Sequence, residues 1–246
     1  MTRASNDRWP KGTFIADLPD TERAALLAAG EHHHFDDEQI LLVQGEPGDF
    51  VYVLTSGLVK VIVEAESGAA TTLALRSQGD LVGEFALLDH KPRTATTRAI
   101  GQVTALKVSG TVFTEIVSRS SAAQATVTRY LLAKMRSTTE RRAAERVWDA
   151  KERVAQVLYD LGKKHAAPGP DGTLRLPITQ GELGDLAGVA VSTAERVLKD
   201  LRKAGAVATK YREITIKDMP YLSSIRFPQE NPEKPLHAGI FRSLIR

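Results

Sequence analysis

The sequence predicts an α+β chain in which a β-roll is followed by one long helix, and then by two short helices closed by a β-hairpin. Three observations carry that expectation. Residues 39–108 break into short runs rich in β-branched and aromatic side chains, punctuated by Gly or Pro. Residues 120–147 contain neither Gly nor Pro. Residues 179–216 hold two short apolar-periodic segments meeting at a glycine, followed by a pair of alternating runs.

The 246 residues suggest two compact domains more readily than one. Hydrophobic residues make up 42% and charged residues 26%, which places the chain among globular proteins and not disordered ones. There is no cysteine, so disulfides, Cys-ligated zinc, iron–sulfur clusters and thiol sensing are excluded together. No apolar run reaches the length of a membrane-spanning helix. The polar stretch Met1 to Gly12 lacks an apolar signal core, so a cytoplasmic protein is expected. A net charge of +3 is compatible with nucleic acid without requiring it; the placement of the charge decides.

Residues 13–29 read as a short helix after a turn, with Leu18-Pro19-Asp20 as a stop and Asp20 or Thr21 as the cap. Strands are expected at Ile40–Val43, Phe50–Leu54, Leu58–Glu64, Thr71–Leu75 and Val103–Val108. Turns are expected at Gly45-Glu46-Pro47-Gly48, Ser56-Gly57, Ser67-Gly68 and Gln78-Gly79-Asp80. Many short strands with regular turn signals predict a barrel or jelly roll. Ser109 opens a helical stretch, and a long helix runs from Ser120 to about Val147. Its apolar Val127, Leu131 and Met135 fall at helical spacing, and Arg136–Arg146 is dominated by charge. Such a stripe packs either on a second copy of the chain or on the chain's own roll. A helix from Asp149 to Lys164, a loop over 166–172 and a strand at Leu174–Leu176 follow. The segment after Pro220, with Pro228, Pro232 and Pro235, is expected to be irregular.

The C-terminal helices carry their own punctuation. Thr179 with Glu182 three residues later forms a capping box, and Leu183, Leu186 and Ala187 give a buried face. Gly188 can end this helix in a left-handed conformation. Ser192, with Glu195 three residues on, is the expected cap of the next helix, whose inner face is Val197, Leu198 and Leu201. Arg196, Lys199, Arg202 and Lys203 lie on or near its outer face. Two short helices joined by a glycine turn make a helix-turn-helix. The second would enter the major groove, with Ser192 and Thr193 near base edges or phosphate and Arg196 able to bond guanine bidentately. Ala206–Thr209 and Glu213–Ile216 alternate around Lys210-Tyr211-Arg212, a wing that places Lys210 and Arg212 for phosphate contact. Thr179 and Gln180, at the head of the first helix, complete the candidate DNA contacts. The plainer reading, a small helical subdomain with a solvated basic face, leaves the order of caps, turn and wing unexplained.

Upstream, the informative stretch is Gly83-Glu84-Phe85-Ala86-Leu87-Leu88-Asp89-His90-Lys91-Pro92-Arg93-Thr94-Ala95-Thr96. Gly83 permits close backbone approach, and Glu84 is an acceptor suited to a ribose hydroxyl. The Phe85–Ala86 segment could present backbone N–H groups to a phosphate. Arg93 adds a forked, permanent cation and Thr94 a hydroxyl. From these residues alone the motif is weak, and a structural Glu–Arg pair is the plainer reading.

Over residues 13–218 the chain resembles the Crp–Fnr family, that of the cyclic-AMP receptor protein and its relatives. The resemblance rests on the stretch just quoted and on Ile178-Thr179-Gln180-Gly181-Glu182-Leu183-Gly184-Asp185-Leu186-Ala187-Gly188, continuing to Arg196. Gly45-Glu46-Pro47-Gly48-Asp49 and Val53-Leu54-Thr55-Ser56-Gly57 look like the family's first β-roll turns. It implies a cyclic-nucleotide-binding β-roll, with Gly83 and Glu84 at the ribose and Arg93 and Thr94 at the cyclic phosphate. Counting back from Asp149–Gln156, which is similar to the family's hinge, puts Thr138 and Thr139 opposite its adenine-contacting hydroxyl pair. Two departures stand out. Val191 and Ser192 occupy positions where the best-known cyclic-AMP receptor carries Arg and Glu, and Ala74 falls about where it offers a serine.

The expected division is therefore 1–119 β-roll with flanking helices, 120–147 dimerisation helix, 148–218 winged helix-turn-helix and 219–246 tail. The resemblance implies a homodimeric regulator with cyclic AMP as allosteric ligand, no covalent cofactor, an inverted-repeat DNA operator and RNA polymerase as partner. The same architecture answering another nucleotide or none, or a nucleotide-responsive module without DNA binding, are the rival readings. No catalytic triad, phosphate-binding loop or metal-hydrolase pattern is present, so no catalytic residue is expected. His32-His33-His34 does not suggest a metal site, since neighbours on a strand point to opposite faces.

Overall fold

The computed structural model describes residues 9–169 and 171–226. The chain divides into two compact units, residues 1–137 and 138–246.

The first unit opens with α1 (Phe14–Asp17) and α2 (Asp20–Ala29). The turn expected ahead of the helix is the one-turn α1, and Pro19, within the expected stop, occupies the cap position of α2. Asp20 and Thr21 are already inside that helix, and Asp20 instead pairs with Arg23. Six strands follow: β1 (Glu31–Phe35), β2 (Ile40–Leu42), β3 (Phe50–Glu64), β4 (Ala70–Ser77), β5 (Leu81–Val82) and β6 (Thr96–Ser109), with α3 (Glu84–Asp89) between the last two. All pairings are antiparallel, in the order β1-β6-β3-β4, with β2 on β6 and β5 on β3.

The two strands expected on either side of Ser56-Gly57 are one strand. β3 crosses that point with two register shifts against β6. A Cβ on Gly57 would collide with the Gln102 carbonyl oxygen, so the glycine lets the strands bulge together without reversing the chain. Alternation along β3 then builds two cores. Val51 and Val53 join Phe14, Ile15, Leu26, Leu106, Val108 and Phe113 beneath the helices. Tyr52 and Leu54 join Leu42, Val59, Ala99, Val103 and Ala105 inside the roll.

Ser109 caps α4 (Gly110–Ser118) through the Val112 amide. Next comes α5 (Ser121–Val147). Its buried Ala123 and Val127, with partly buried Tyr130 and Leu131, pack on the helix-side core of the unit's own roll. Leu132 is 47% and Met135 60% exposed. The stripe Val127, Leu131, Met135 is therefore not one face. Each step of four overshoots a turn by about 40°, so the row winds from the core at Val127 toward solvent at Met135.

The second unit contains α6 (Ala150–Lys164), β7 (Ala167–Pro168), β8 (Leu174–Leu176), α7 (Gln180–Ala187), α8 (Val191–Lys203), β9 (Val207–Lys210), β10 (Glu213–Ile216) and α9 (Met219–Arg226). Asp149 and Glu152 form a capping box at the head of α6. The sheet runs β7-β8-β10-β9, so part of the expected 166–172 loop is a short edge strand. Val154, Leu158, Leu176, Ile178, Leu183, Leu186, Leu198, Leu201, Ile214 and Ile216 are fully or almost fully buried. The stretch after Pro220 begins as a helix and not as irregular chain. Proline is tolerated in a first turn, and Leu222 is fully buried where α9 packs on α6. Pro228, Pro232 and Pro235 lie outside the described residues. No helix among the described residues is long and apolar enough to cross a membrane.

Candidate functional site

The Gly83–Thr96 stretch folds around α3. Gly83 caps this helix with φ +89°, and a Cβ there would lie 2.5 Å from Arg93 Nη1. Only glycine combines that backbone conformation with so close a guanidinium. Arg93 is 4% exposed. Its Nη1 donates to the Gly83 carbonyl at 2.6 Å and its Nη2 to the Phe50 carbonyl at 2.7 Å. The guanidinium carbon stands 4.8 Å from the Phe50 ring centroid, within cation–π range. Burial pushes the Arg93 pKa down, opposed by Asp49, Glu84 and Glu46.

Glu84 is 1% exposed. Its Oε1 accepts from Lys134 Nζ of α5 at 2.6 Å, and the same ammonium donates to the Leu81 carbonyl at 3.0 Å. Tyr130, one turn earlier on α5, accepts from the Leu81 amide at 3.0 Å. Burial pushes the Lys134 pKa down to about 8 against the pull of Glu84. It raises that of the Tyr130 hydroxyl well above the usual phenol range. Phe85 is 38% exposed and Ala86 buried, with Gly48 backed so closely against it that a Cβ there would collide with the Ala86 Cβ. Thr94 is exposed.

Gly83, Glu84 and Arg93 thus converge. Lys134, Tyr130 and Phe50 join them without having been named from the sequence. No local pattern marks Lys134, because its partner Glu84 lies 50 residues away in the chain. Thr138 and Thr139 both belong to the second unit and are exposed. On helix periodicity Thr138 continues the face of Lys134, whereas Thr139, about 100° away, continues that of Leu132 and Met135. His33 turns inward against Phe35 and Tyr52 while His32 and His34 are exposed, the alternation of a strand. His90 is exposed at the end of α3.

In the second unit, Thr179 Oγ1 accepts from the Glu182 amide at 3.0 Å, and Glu182 accepts from the Thr179 amide at 2.8 Å. Thr179 and Gln180 are half-buried at the head of α7. Gly188 ends α7 at φ +62°, and the Val189 amide returns to the Gly184 carbonyl at 2.9 Å. Arg153 Nη1 of α6 donates to the Gly188 carbonyl at 3.0 Å. After so tight a turn only Val189 and Ala190 precede the next helix. The cap of α8 is therefore Ala190, without a side-chain bond, and Ser192 sits inside the first turn.

α8 buries Ala194, Val197, Leu198 and Leu201. Ser192, Arg196, Lys199 and Lys203 are exposed along one row spaced four, three and four residues. Thr193 is half-buried beside that row. Lys210 is exposed and Arg212 half-buried at the tip of the β9–β10 hairpin. The arrangement is a helix-turn-helix with a cationic outer face and a β-hairpin wing.

Residues 32–120 match the cyclic nucleotide-binding domain and residues 152–225 the Crp-like helix-turn-helix domain. A CRP-like cAMP-activated global transcriptional regulator of Mycobacterium tuberculosis is 26% identical over 185 residues, covering 74% of this chain and 82% of that one. An anaerobic regulatory protein of Pasteurella multocida is 25% identical over 182 residues, 74% of this chain and 66% of that one. The crystal structure of a CRP/FNR-family transcriptional regulator from Thermus thermophilus superposes with TM-score 0.66 at 26% identity. It covers 80% of this chain and 98% of that one.

Proposed function

The chain belongs to the Crp–Fnr family of DNA-binding transcription regulators, and from that premise we propose that it is a cytoplasmic homodimer whose operator binding is set by cyclic AMP. The observation that carries the nucleotide reading is the convergence of Gly83, Glu84 and buried Arg93 at the start of α3. Glu84 would accept from the ribose hydroxyls. Arg93, Thr94 and the backbone of Phe85 and Ala86 would hold the cyclic phosphate. The family resemblance assigns Thr138 and Thr139 to the base.

We assign the dimer seam to the exposed α5 face bearing Leu132 and Met135, an apolar surface at heptad-like spacing that a second copy of the same helix would cover. Residues 1–119 are assigned to sensing, 120–147 to dimerisation, 148–218 to DNA and 219–246 to a tail. Ligand would favour the dimer arrangement in which both α8 helices meet successive major grooves of an inverted repeat. RNA polymerase is the proposed further partner, and no enzymatic step is assigned.

One observation favours a second reading, the same architecture answering another nucleotide or none. The Glu84 carboxylate already accepts from Lys134, and both terminal nitrogens of Arg93 already donate to carbonyls. A second N–H on each Arg93 terminal nitrogen and further lone pairs on Glu84 stay open to a ligand, so a nucleotide would share these groups with their internal partners. Calorimetric titration with cyclic AMP, cyclic GMP and cyclic di-GMP separates the two. Saturable cyclic-AMP binding that is lost in Arg93→Ala supports the first reading, and binding of only cyclic GMP or cyclic di-GMP, or of none of the three, supports the second.

A further inference from the structure

The wing has a tip its turn geometry does not ask for. β9 and β10 pair Lys210 with Glu213, leaving Tyr211-Arg212 as a two-residue turn. Turns of this length favour Gly, Asn or Asp, because at least one central residue takes positive φ. Here that residue is Arg212, at φ +52°, and its neighbour is an aromatic ring 91% exposed. A non-glycine residue held in the left-handed region is strained, and such strain is kept where function uses it. A Gly or Asn turn would be less strained and would leave no ring in water. Two cations, Lys210 and Arg212, flank Tyr211, and Glu213, the next residue in the chain, turns to accept from Thr215 Oγ1 at 3.3 Å.

The wing is braced against the recognition helix. Arg202, in the last turn of α8, donates from Nη1 to Thr209 Oγ1 of β9 at 2.9 Å. The Lys217 amide closes the hairpin base on the Ala206 carbonyl at 2.8 Å. Four residues of strand reach about 13 Å from that base, roughly the width of the major groove that α8 would occupy. With α8 seated in the groove, a braced hairpin of that length ends at the bordering sugar–phosphate strand and the minor groove beyond it.

We propose that Tyr211 is a DNA-contacting residue. Its ring packs on the deoxyribose edge of the minor groove flanking each half-site, so that operator preference extends outside the bases read by α8. This rests on the DNA-binding reading. It adds to the phosphate contacts of Lys210 and Arg212 a contact that depends on the width and flexibility of the flanking duplex.

The test uses the full-length protein and the sequence it enriches from a random duplex library, with and without cyclic AMP. Two duplexes carry that sequence, one with long flanks and one trimmed at the outer edges of the half-sites. The parent should bind the trimmed duplex about tenfold more weakly. Tyr211→Ala should lose most of the difference between the long and trimmed duplexes, keeping only what the Lys210 and Arg212 phosphate contacts supply, and should lose hydroxyl-radical protection of the flanking sugars. Tyr211→Phe should behave as the parent, because packing and not the hydroxyl carries the contact. If parent and Tyr211→Ala bind both duplexes alike, the proposal is wrong and the ring serves a protein partner. Arg196→Ala separates this from the underlying reading, since it should lose preference for the enriched sequence on both duplexes. If the library yields no enriched sequence, DNA recognition fails and the wing contact fails with it.

Discussion

Lys134 Nζ lies 2.6 Å from Glu84 Oε1, and the two side chains are only 13% and 2% exposed. The residue expected to meet a ribose is therefore tied to α5 by a buried ion pair. Removing one partner of such a pair strands the other charge, at a cost of about 3–5 kcal/mol. Lys134→Met should lower stability to urea by that order, and adding Glu84→Gln should restore much of the loss. If the double variant is as unstable as the single one, the pair is not the reason.

The same contact sets a pH dependence. The Lys134 pKa is depressed to about 8 in the folded chain, whereas an unfolded lysine titrates near 10.5. Between those values the unfolded chain binds the extra proton, so this group's contribution to stability rises with pH. Its penalty is fully present below pH 8 and is relieved as pH climbs toward 10.5. Tyr130, with its pKa raised, acts in the opposite direction only above pH 10. The expected result is a rise in urea midpoint between pH 8 and pH 10 that is absent from Lys134→Met. Parallel curves for the two proteins would contradict it.

Leu131 and Leu132 are neighbours with different tasks. Leu131 packs on the core of its own roll, and Leu132 is 47% exposed. Leu132→Asp should give monomers in sedimentation at concentrations where the parent is dimeric, with little change in melting. Leu131→Asp should instead lower the melting temperature, because it puts a charge against the helix-side core. A dimer that survives Leu132→Asp would place the seam elsewhere.

Gly188 joins three parts of the second unit. It ends α7 at positive φ, its carbonyl accepts from Arg153, and a Cβ there would stand 2.7 Å from Glu145 Oε1. Gly188→Ala should cost about 1–2 kcal/mol of stability through strain. It should also weaken operator binding, because the turn fixes α8 relative to α7. Thermal melts and mobility shifts read the two effects separately; a variant that matches the parent in both would make this glycine incidental.

Local chemistry was the legible part of the sequence. The Thr179–Glu182 box, the glycine at 188 and the alternation of 206–216 each act within a few residues, and each is found where the pattern put it. What was hidden depends on partners distant along the chain. Gly57 reads as a turn until β6 is present to pair across it. The row Val127, Leu131, Met135 reads as one stripe until the roll claims its first two members. Ser192 reads as a cap because its side chain suits one, but the length of the Gly188 turn sets where α8 begins. Of the ligand site, Gly83, Glu84 and Arg93 were visible within one segment. Lys134 was not, because its role depends on how α5 folds back over α3.

The most direct test of the account is selection of bound duplexes from a random DNA library. Two copies of the Ser192–Lys199 face related by a two-fold axis predict an inverted repeat with half-site centres about one helical turn, ~34 Å, apart. Each half-site should hold a guanine whose preference relaxes in Arg196→Ala, at a cost of about 1–3 kcal/mol. Lys210→Ala or Arg212→Ala should weaken binding to every sequence and flatten its salt dependence. Enrichment of asymmetric single sites, or of nothing, would contradict a dimeric winged-helix regulator.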